Sequence, residues 1–259
     1  TTKAERFRNT SEGRLLVAQT VSYNIFAHSK LQVSGTDSLA AASFTRWSAN
    51  QYGPYINLGK SRGGIGAYTA VQDDDILGTI NFAAADGTDM QSVGAAIAAE
   101  IDGTPGGNDT PGRLVFKTTA DGAASATERL RITSAGKILI GTTTPHGNAN
   151  ADDLVVATSG HSGISIRSGT SHNGNLFFAD GTSGTDEYRG WVTYEHTNNH
   201  LTFGCNGGEV CRMQAGRFGI GTNSPTRTLE VRGPNDSHLA ITVPGTCLLY
   251  TSPSPRDRG

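Results

Sequence analysis

ERLRITSAGKILIGTTTP, residues 128–145, decides how the chain is read, because the sequence contains it three times in graded quality. A second copy, ERFRNTSEGRLLVAQTVS, occupies residues 5–22, and a third, EVCRMQAGRFGIGTNSP, occupies residues 209–225. Each is followed by a short apolar alternation: Leu31-Gln32-Val33, Leu154-Val155-Val156 and Leu229-Glu230-Val231. The copies recur at unequal intervals, so the unit is a terminator and the sequence before it varies in length. Self-similarity of this kind marks an array of modules and takes precedence over local readings.

Inside each copy, alternating residues flank a loop that ends in glycine. The loops are Ser11-Glu12-Gly13, Ser134-Ala135-Gly136 and a shortened Ala215-Gly216. Glycine there supplies the positive φ of a tight hairpin turn. Between the copies, strands are expected at 43–47, 55–58, 77–83, 113–118, 163–167, 175–179, 190–195, 201–204 and 210–213. Gly63-Gly64, Asp86-Gly87, Asp121-Gly122, Asn198-Asn199 and Asn206-Gly207-Gly208 punctuate them with turn chemistry. The Ala-rich stretch at 90–100 fits both a helical and an alternating period. Gly94 and the nearby turns favour a strand. Short strands with turns about every ten residues make the fold all-β. The expected architecture is a tandem of small β-sandwich-like or β-hairpin-rich modules. The expected divisions are 1–35, the end of a preceding module; 36–146, a larger module; 147–233, a smaller one; and 234–246, the start of another.

Composition narrows the class. The 259 residues include 34 Gly, only 7% are aromatic, and the formal net charge is −2. Such a chain has a thin core, which suits an elongated or oligomeric object. A charge near zero gives no electrostatic basis for binding nucleic acid or an anionic membrane. No apolar run approaches the roughly 20 residues of a membrane helix. Cys205, Cys211 and Cys247 form neither a disulfide framework nor a zinc-site pattern, so free thiols are expected. CLLYTSPSPRD at 247–257 resembles the translation of a sequencing-library adapter, and 247–259 is set apart from the fold on that ground.

Candidate sites are sparse. Gly59-Lys60-Ser61 lacks the upstream glycine of a phosphate loop, since Pro54 stands there, and reads as a surface turn. His196 and His200 flank a predicted hairpin turn, with Glu195 before the first rather than after it, so they read as exposed hairpin residues and not a zinc-protease motif. Asp73-Asp74-Asp75, Glu100 with Asp102, and Asp186-Glu187 are the acidic candidates, but adjacency in sequence says little about the facing geometry that glycoside hydrolysis needs. Trp47, Tyr52, Tyr55, Trp191 and Tyr194 are the aromatics able either to anchor a core or to stack on sugar. Of these, Tyr52, Tyr55, Trp191 and Tyr194 are the candidate glycan contacts. No catalytic residue, cofactor or metal is assigned.

ERLRITSAGKILIGTTTP and GRFGIGTNSPTRTLEV resemble the R-(L/M)-R-I…G-x-(V/I)-GIGT-x-x-P…L-x-V repeat of tail-fibre proteins of tailed, particularly marine, bacteriophages. Residues 102–132 and the pattern LFFADG…GWVTYEH…LTFG are similar to modules that precede it. The first copy departs from the pattern, with Ala18-Gln19 where Gly-Thr is usual. The resemblance implies a homotrimeric, non-enzymatic fibre segment in the virion, assembled in the host cytoplasm. Its implied partners are copies of itself, other tail proteins and a host-surface glycan or protein. In such a trimer Gly141 and Gly221 permit close backbone approach or positive φ, Gly136 and Gly216 turn the hairpins, and Pro145 and Pro225 stop ladder pairing. The rival readings are a tailspike-type glycan depolymerase and a bacterial surface adhesin.

Overall fold

Turn glycines and the ladder between them account for most of the architecture. The computed structural model describes residues 7–11, 13–17, 29–36 and 41–233. Glu5, Glu12, Ala18, Gln19, Cys247 and the expected module at 234–246 lie outside the described residues. Strands β1 (Phe7–Asn9) and β2 (Leu15–Val17) pair antiparallel, and β3 (Leu31–Val33) joins β2 in parallel. The hairpin closes through Thr10 N to Arg14 O and Gly13 N to Thr10 O, each 2.9 Å, with Gly13 at φ +70°.

The chain divides into compact units at 1–163 and 164–259. The first contains a six-stranded sheet: β4 (Ile76–Ala84), β5 (Ser92–Ile101), β6 (Gly112–Thr118), β7 (Thr127–Ile132), β8 (Ile138–Ile140) and β9 (Leu154–Val156). All neighbours are antiparallel except β8 and β9. The Ala-rich stretch is β5, paired along both edges. β9 completes this sheet by pairing with β8. The strands expected at 43–47 and 55–58 do not form. That segment alternates but has no ladder partner, and Pro54 removes a donor from its middle.

The second unit repeats the plan with β10 (Asn173–Phe178), β11 (Gly190–Glu195), β12 (His200–Cys205), β13 (Gly208–Gln214), β14 (Arg217–Ile220) and β15 (Leu229–Val231), the last pair again parallel. A 3-10 turn at Gly184–Tyr188 links β10 to β11. No strand forms at 163–167. Asn206 and Gly207, at φ +53° and +73°, make the two-residue hairpin between β12 and β13. The architecture is all-β in its hairpin-rich form.

Register gives each six-stranded sheet one apolar and one polar face. In the first, Ile80, Ile97, Phe116, Leu130, Ile140 and Val156 lie side by side across all six strands. A second row holds Gly78, Ala99, Leu114, Ile132, Ile138 and Leu154. The corresponding row of the second sheet is Leu176, Val192, Phe203, Cys211, Ile220 and Val231. Leu58 over Gly78 and Ile166 against Gly174 cover part of one strand in each, and the rest of these faces stays open: Ile80, Phe82, Leu114, Ile132, Ile138, Leu154, Leu176 and Phe178 are all exposed. The fully buried side chains Val115 and Leu139 lie instead on the polar face of the first sheet, beneath charged groups.

Candidate functional site

The recurring terminator is a joint built from three coupled parts. In a regular strand, residues three apart point to opposite faces. Here a β-bulge adds one residue, Arg129 in β7 and Val210 in β13, and brings the flanking pair onto the same face. Glu128 then takes Arg131 in a bidentate ion pair at 2.6 and 2.7 Å, and Glu209 takes Arg212 at 2.6 and 2.5 Å. Both arginines are held above their ordinary pKa by these carboxylates, against a smaller effect of burial. The bulged residue's carbonyl accepts the N–H of the turning glycine: Arg129 O from Gly141 and Val210 O from Gly221, both at 2.9 Å.

Those glycines sit at φ +73° and +68°, and a Cβ on them would lie 2.4 Å from Ala157 O and 2.0 Å from Arg232 O. The parallel strand is clamped at both ends in each copy. Lys30 O, Asp153 O and Thr228 O accept from Leu15, Ile138 and Phe218, at 2.7 to 2.8 Å. Ser34, Ala157 and Arg232 donate to Val17, Ile140 and Ile220. Gly136 and Gly216 turn the hairpins at φ +80° and +74°. Pro225 is buried over Gly219, filling the place that Leu139 fills in the first unit, where Pro145 is exposed.

The polar face of the first sheet is a closed ion network. Arg113 donates to Asp74 at 2.5 Å, to Asp102 at 3.2 Å and to Glu100, which also takes Lys117 at 2.8 Å. Glu100 is only 7% exposed. Burial raises its pKa, but the bonds from Lys117 and Arg113 outweigh this and hold it below its ordinary value. Burial lowers the Arg113 pKa, and the three carboxylates reverse that. Asp75 is locked by Arg62, and Asp73 accepts the N–H of Gly103. All three carboxylates of the acidic triplet are therefore held by partners within the first unit.

The polar face of the second sheet is open by comparison. A groove of about 440 Å³ is lined by residues including Asn173, Asn175, Trp191, Thr193, Glu195 and His200. The indole of Trp191 lies flat over Gly204, occupying the space a Cβ there would need. Tyr188 meets it edge-on at 6.0 Å, and Phe177 packs tilted against Tyr188 at 6.3 Å. Arg189 fixes the loop that carries Tyr188 by bonding Asp180, Asp186 and Asn206. Thr193 donates to Asn175 Oδ1 at 2.9 Å.

His200, expected as an exposed hairpin residue, is 7% exposed. Its position opposite Glu195 in the ladder turns it onto the sheet, where Nε2 donates to Glu195 Oε2 at 2.8 Å. His196 packs edge-on against Tyr194 instead. Tyr194 is on the opposite face from Trp191, three residues away in the same strand. Tyr52 and Tyr55 are exposed at 55% and 68% in the segment without ladder partners, as is Trp47 at 93%. Register brings Phe177 to the groove and the 3-10 turn brings Tyr188, and neither was singled out as a candidate contact in the sequence. The one available signal was the alternation of Trp191 and Thr193 against Val192 and Tyr194. Among the described residues, no three His, Cys, Asp or Glu side chains gather as a metal site, and no helix is long and apolar enough to cross a membrane.

Together these features define a modular all-β protein whose sheets end in a common joint. Its fold is similar to the carboxy-terminal domain of the L-shaped tail fibre of bacteriophage T5, at 13% identity and a TM-score of 0.38, over 84% of this chain and 99% of that one. A second structure of that domain, with its intra-molecular chaperone domain, matches at 15% identity and a TM-score of 0.38, over 85% of this chain and 70% of that one. No protein-family model matches the chain, and no curated protein does.

Proposed function

We propose that this chain is a non-enzymatic structural segment of a phage tail fibre that supports host attachment as a homotrimer. The observation that carries the reading is the pair of continuous apolar faces, one on each six-stranded sheet, left open in a single copy. Each Ile, Leu or Phe moved from solvent into an interface gains about 1.5–3 kcal/mol, and soluble monomers rarely leave so large a face uncovered. Three identical chains cover such faces symmetrically. The repeat pattern's resemblance to marine phage fibres supports the same reading. Three parallel copies also present each weak receptor site three times, which raises avidity without new contacts. Sedimentation equilibrium of the purified chain is expected to give a trimer, with elongated particles under the electron microscope. A stable folded monomer overturns the proposal. Release of reducing ends from host polysaccharide would favour a depolymerase instead.

A further inference from the structure

The two six-stranded sheets share a plan, and their polar faces diverge at one place. By ladder position, Glu195 corresponds to Glu100, His200 to Arg113, Gly204 to Lys117 and Trp191 to Ala96. The first unit closes its face with two long cations on one carboxylate. In the second, the cations are replaced by an imidazole and a glycine, an indole covers the glycine, and a groove of about 440 Å³ remains. That volume is in the range of about 300–1,000 Å³ common for small-molecule sites. We infer that this groove is a saccharide-binding site that takes an uncharged pyranose unit.

Trp191 provides a flat apolar platform with Tyr188 as an upright wall, which suits the C–H face of a sugar ring. Asn173, Asn175, Thr193 and Thr202 bring amides and hydroxyls to the same groove, the mix of donors and acceptors that ring hydroxyls need. Charge selects the class. Arg212 is the groove's sole lysine or arginine, and its guanidinium bonds Glu209 and Gln214. A carboxylated or sulfated sugar would face Glu195 and Glu209 with no cation left to meet it. The inference gives the host-attachment reading a ligand class, yet it rests on the groove of the second unit and not on that reading.

The test titrates the whole chain with the methyl glycosides of glucose, galactose, mannose and N-acetylglucosamine, and with those of glucuronic and N-acetylneuraminic acid. The Trp191 indole N–H is followed by NMR. At least one neutral glycoside is expected to bind and shift that signal, while both acidic ones bind more weakly. Trp191→Ala and Gly204→Lys are each expected to weaken binding at least about tenfold, as loss of an aromatic hot spot does. Trp191→Ala combined with Gly204→Lys restores the pair that the first unit carries there, Ala96 opposite Lys117, so the double variant serves if Trp191→Ala alone fails to fold. The inference is overturned if no neutral glycoside binds, if binding leaves the Trp191 signal unmoved, or if an acidic sugar binds best. A trimer that binds no neutral glycoside removes this inference alone, and a monomer that binds one removes the fibre proposal alone.

Discussion

Gly141 carries two constraints that only glycine meets together, a φ of +73° and a carbonyl 2.4 Å from where a Cβ would be. Gly136 carries the first without the second, at φ +80° with open space around it. The two positions therefore separate backbone strain from steric exclusion. Gly136→Ala is expected to cost about 1–2 kcal/mol, the left-handed penalty alone. Gly141→Ala is expected to cost about 3 kcal/mol or more, because the Ala157 carbonyl must also move and its bonded strand with it. Urea unfolding of the two variants checks the difference, and equal losses would show that the close approach relaxes freely. Glu100 is the charged counterpart. Its pKa is depressed in the folded chain, so its contribution is complete above its ordinary value of 4.5 and fades as pH falls through the lower folded value. Glu100→Gln is expected to cost about 2 kcal/mol at neutral pH, since Arg113 and Lys117 lose a shared, nearly buried partner. The gap between variant and parent should begin to narrow below pH 4.5 and close only below the depressed folded value. Thermal melts across that range measure it, and a gap independent of pH would assign the effect to packing.

At the scale of elements, the joint works because a bulge, a positive-φ glycine and a parallel strand depend on one another. The third copy reaches the same hairpin with one residue fewer, and Ala215 absorbs the difference at φ +50°. Ala215→Asn gives this turn the Asn-Gly pair that two-residue hairpins prefer, and is expected to raise stability by about 0.5–1 kcal/mol. A higher urea midpoint with an unchanged slope is the expected readout, and a lower midpoint would show that Ala215 is unstrained. Turn chemistry is also why so much was legible in the sequence. Glycine and asparagine at the hairpins fixed the order of β4 to β8 and β10 to β14, and Gly94 argued for the strand over a helix at 92–101. Pairing across distance was not legible. Leu154-Val155-Val156 reads as the start of a module, and only its bonds to β8 make it the end of one. The bulge at Arg129 is silent in sequence, so the coupling of Glu128 with Arg131 was hidden. The groove was half visible: Trp191 stood out, whereas Tyr188 arrives through a loop whose course depends on Arg189.

For the whole molecule, the deciding contrast is between the two faces of each sheet. The polar face buries Val115 and Leu139 under its own charged side chains, so a single chain satisfies it. The apolar face has little such cover, Leu58 over Gly78 in its first strand, and the row of Ile80, Ile97, Phe116, Leu130, Ile140 and Val156 across six strands is long enough to require a partner along its width. A charge placed on one face should therefore disturb assembly and on the other should not. Ile132, 38% exposed on the apolar face, and Asn81, exposed on the polar face of the same sheet, provide the pair. In a trimer that buries the apolar face, Ile132→Asp places three unpaired carboxylates in an interface, each costing several kcal/mol to desolvate. Asn81→Asp adds the same charge where water reaches it. Sedimentation velocity is expected to show Ile132→Asp as a monomer or as aggregate and Asn81→Asp as a trimer. Because the Ile132 side chain is already part-exposed in the single chain, the substitution should leave the circular dichroism of β-structure in any monomer little changed. A trimer that survives Ile132→Asp would place the interface elsewhere and leave the apolar faces to another partner.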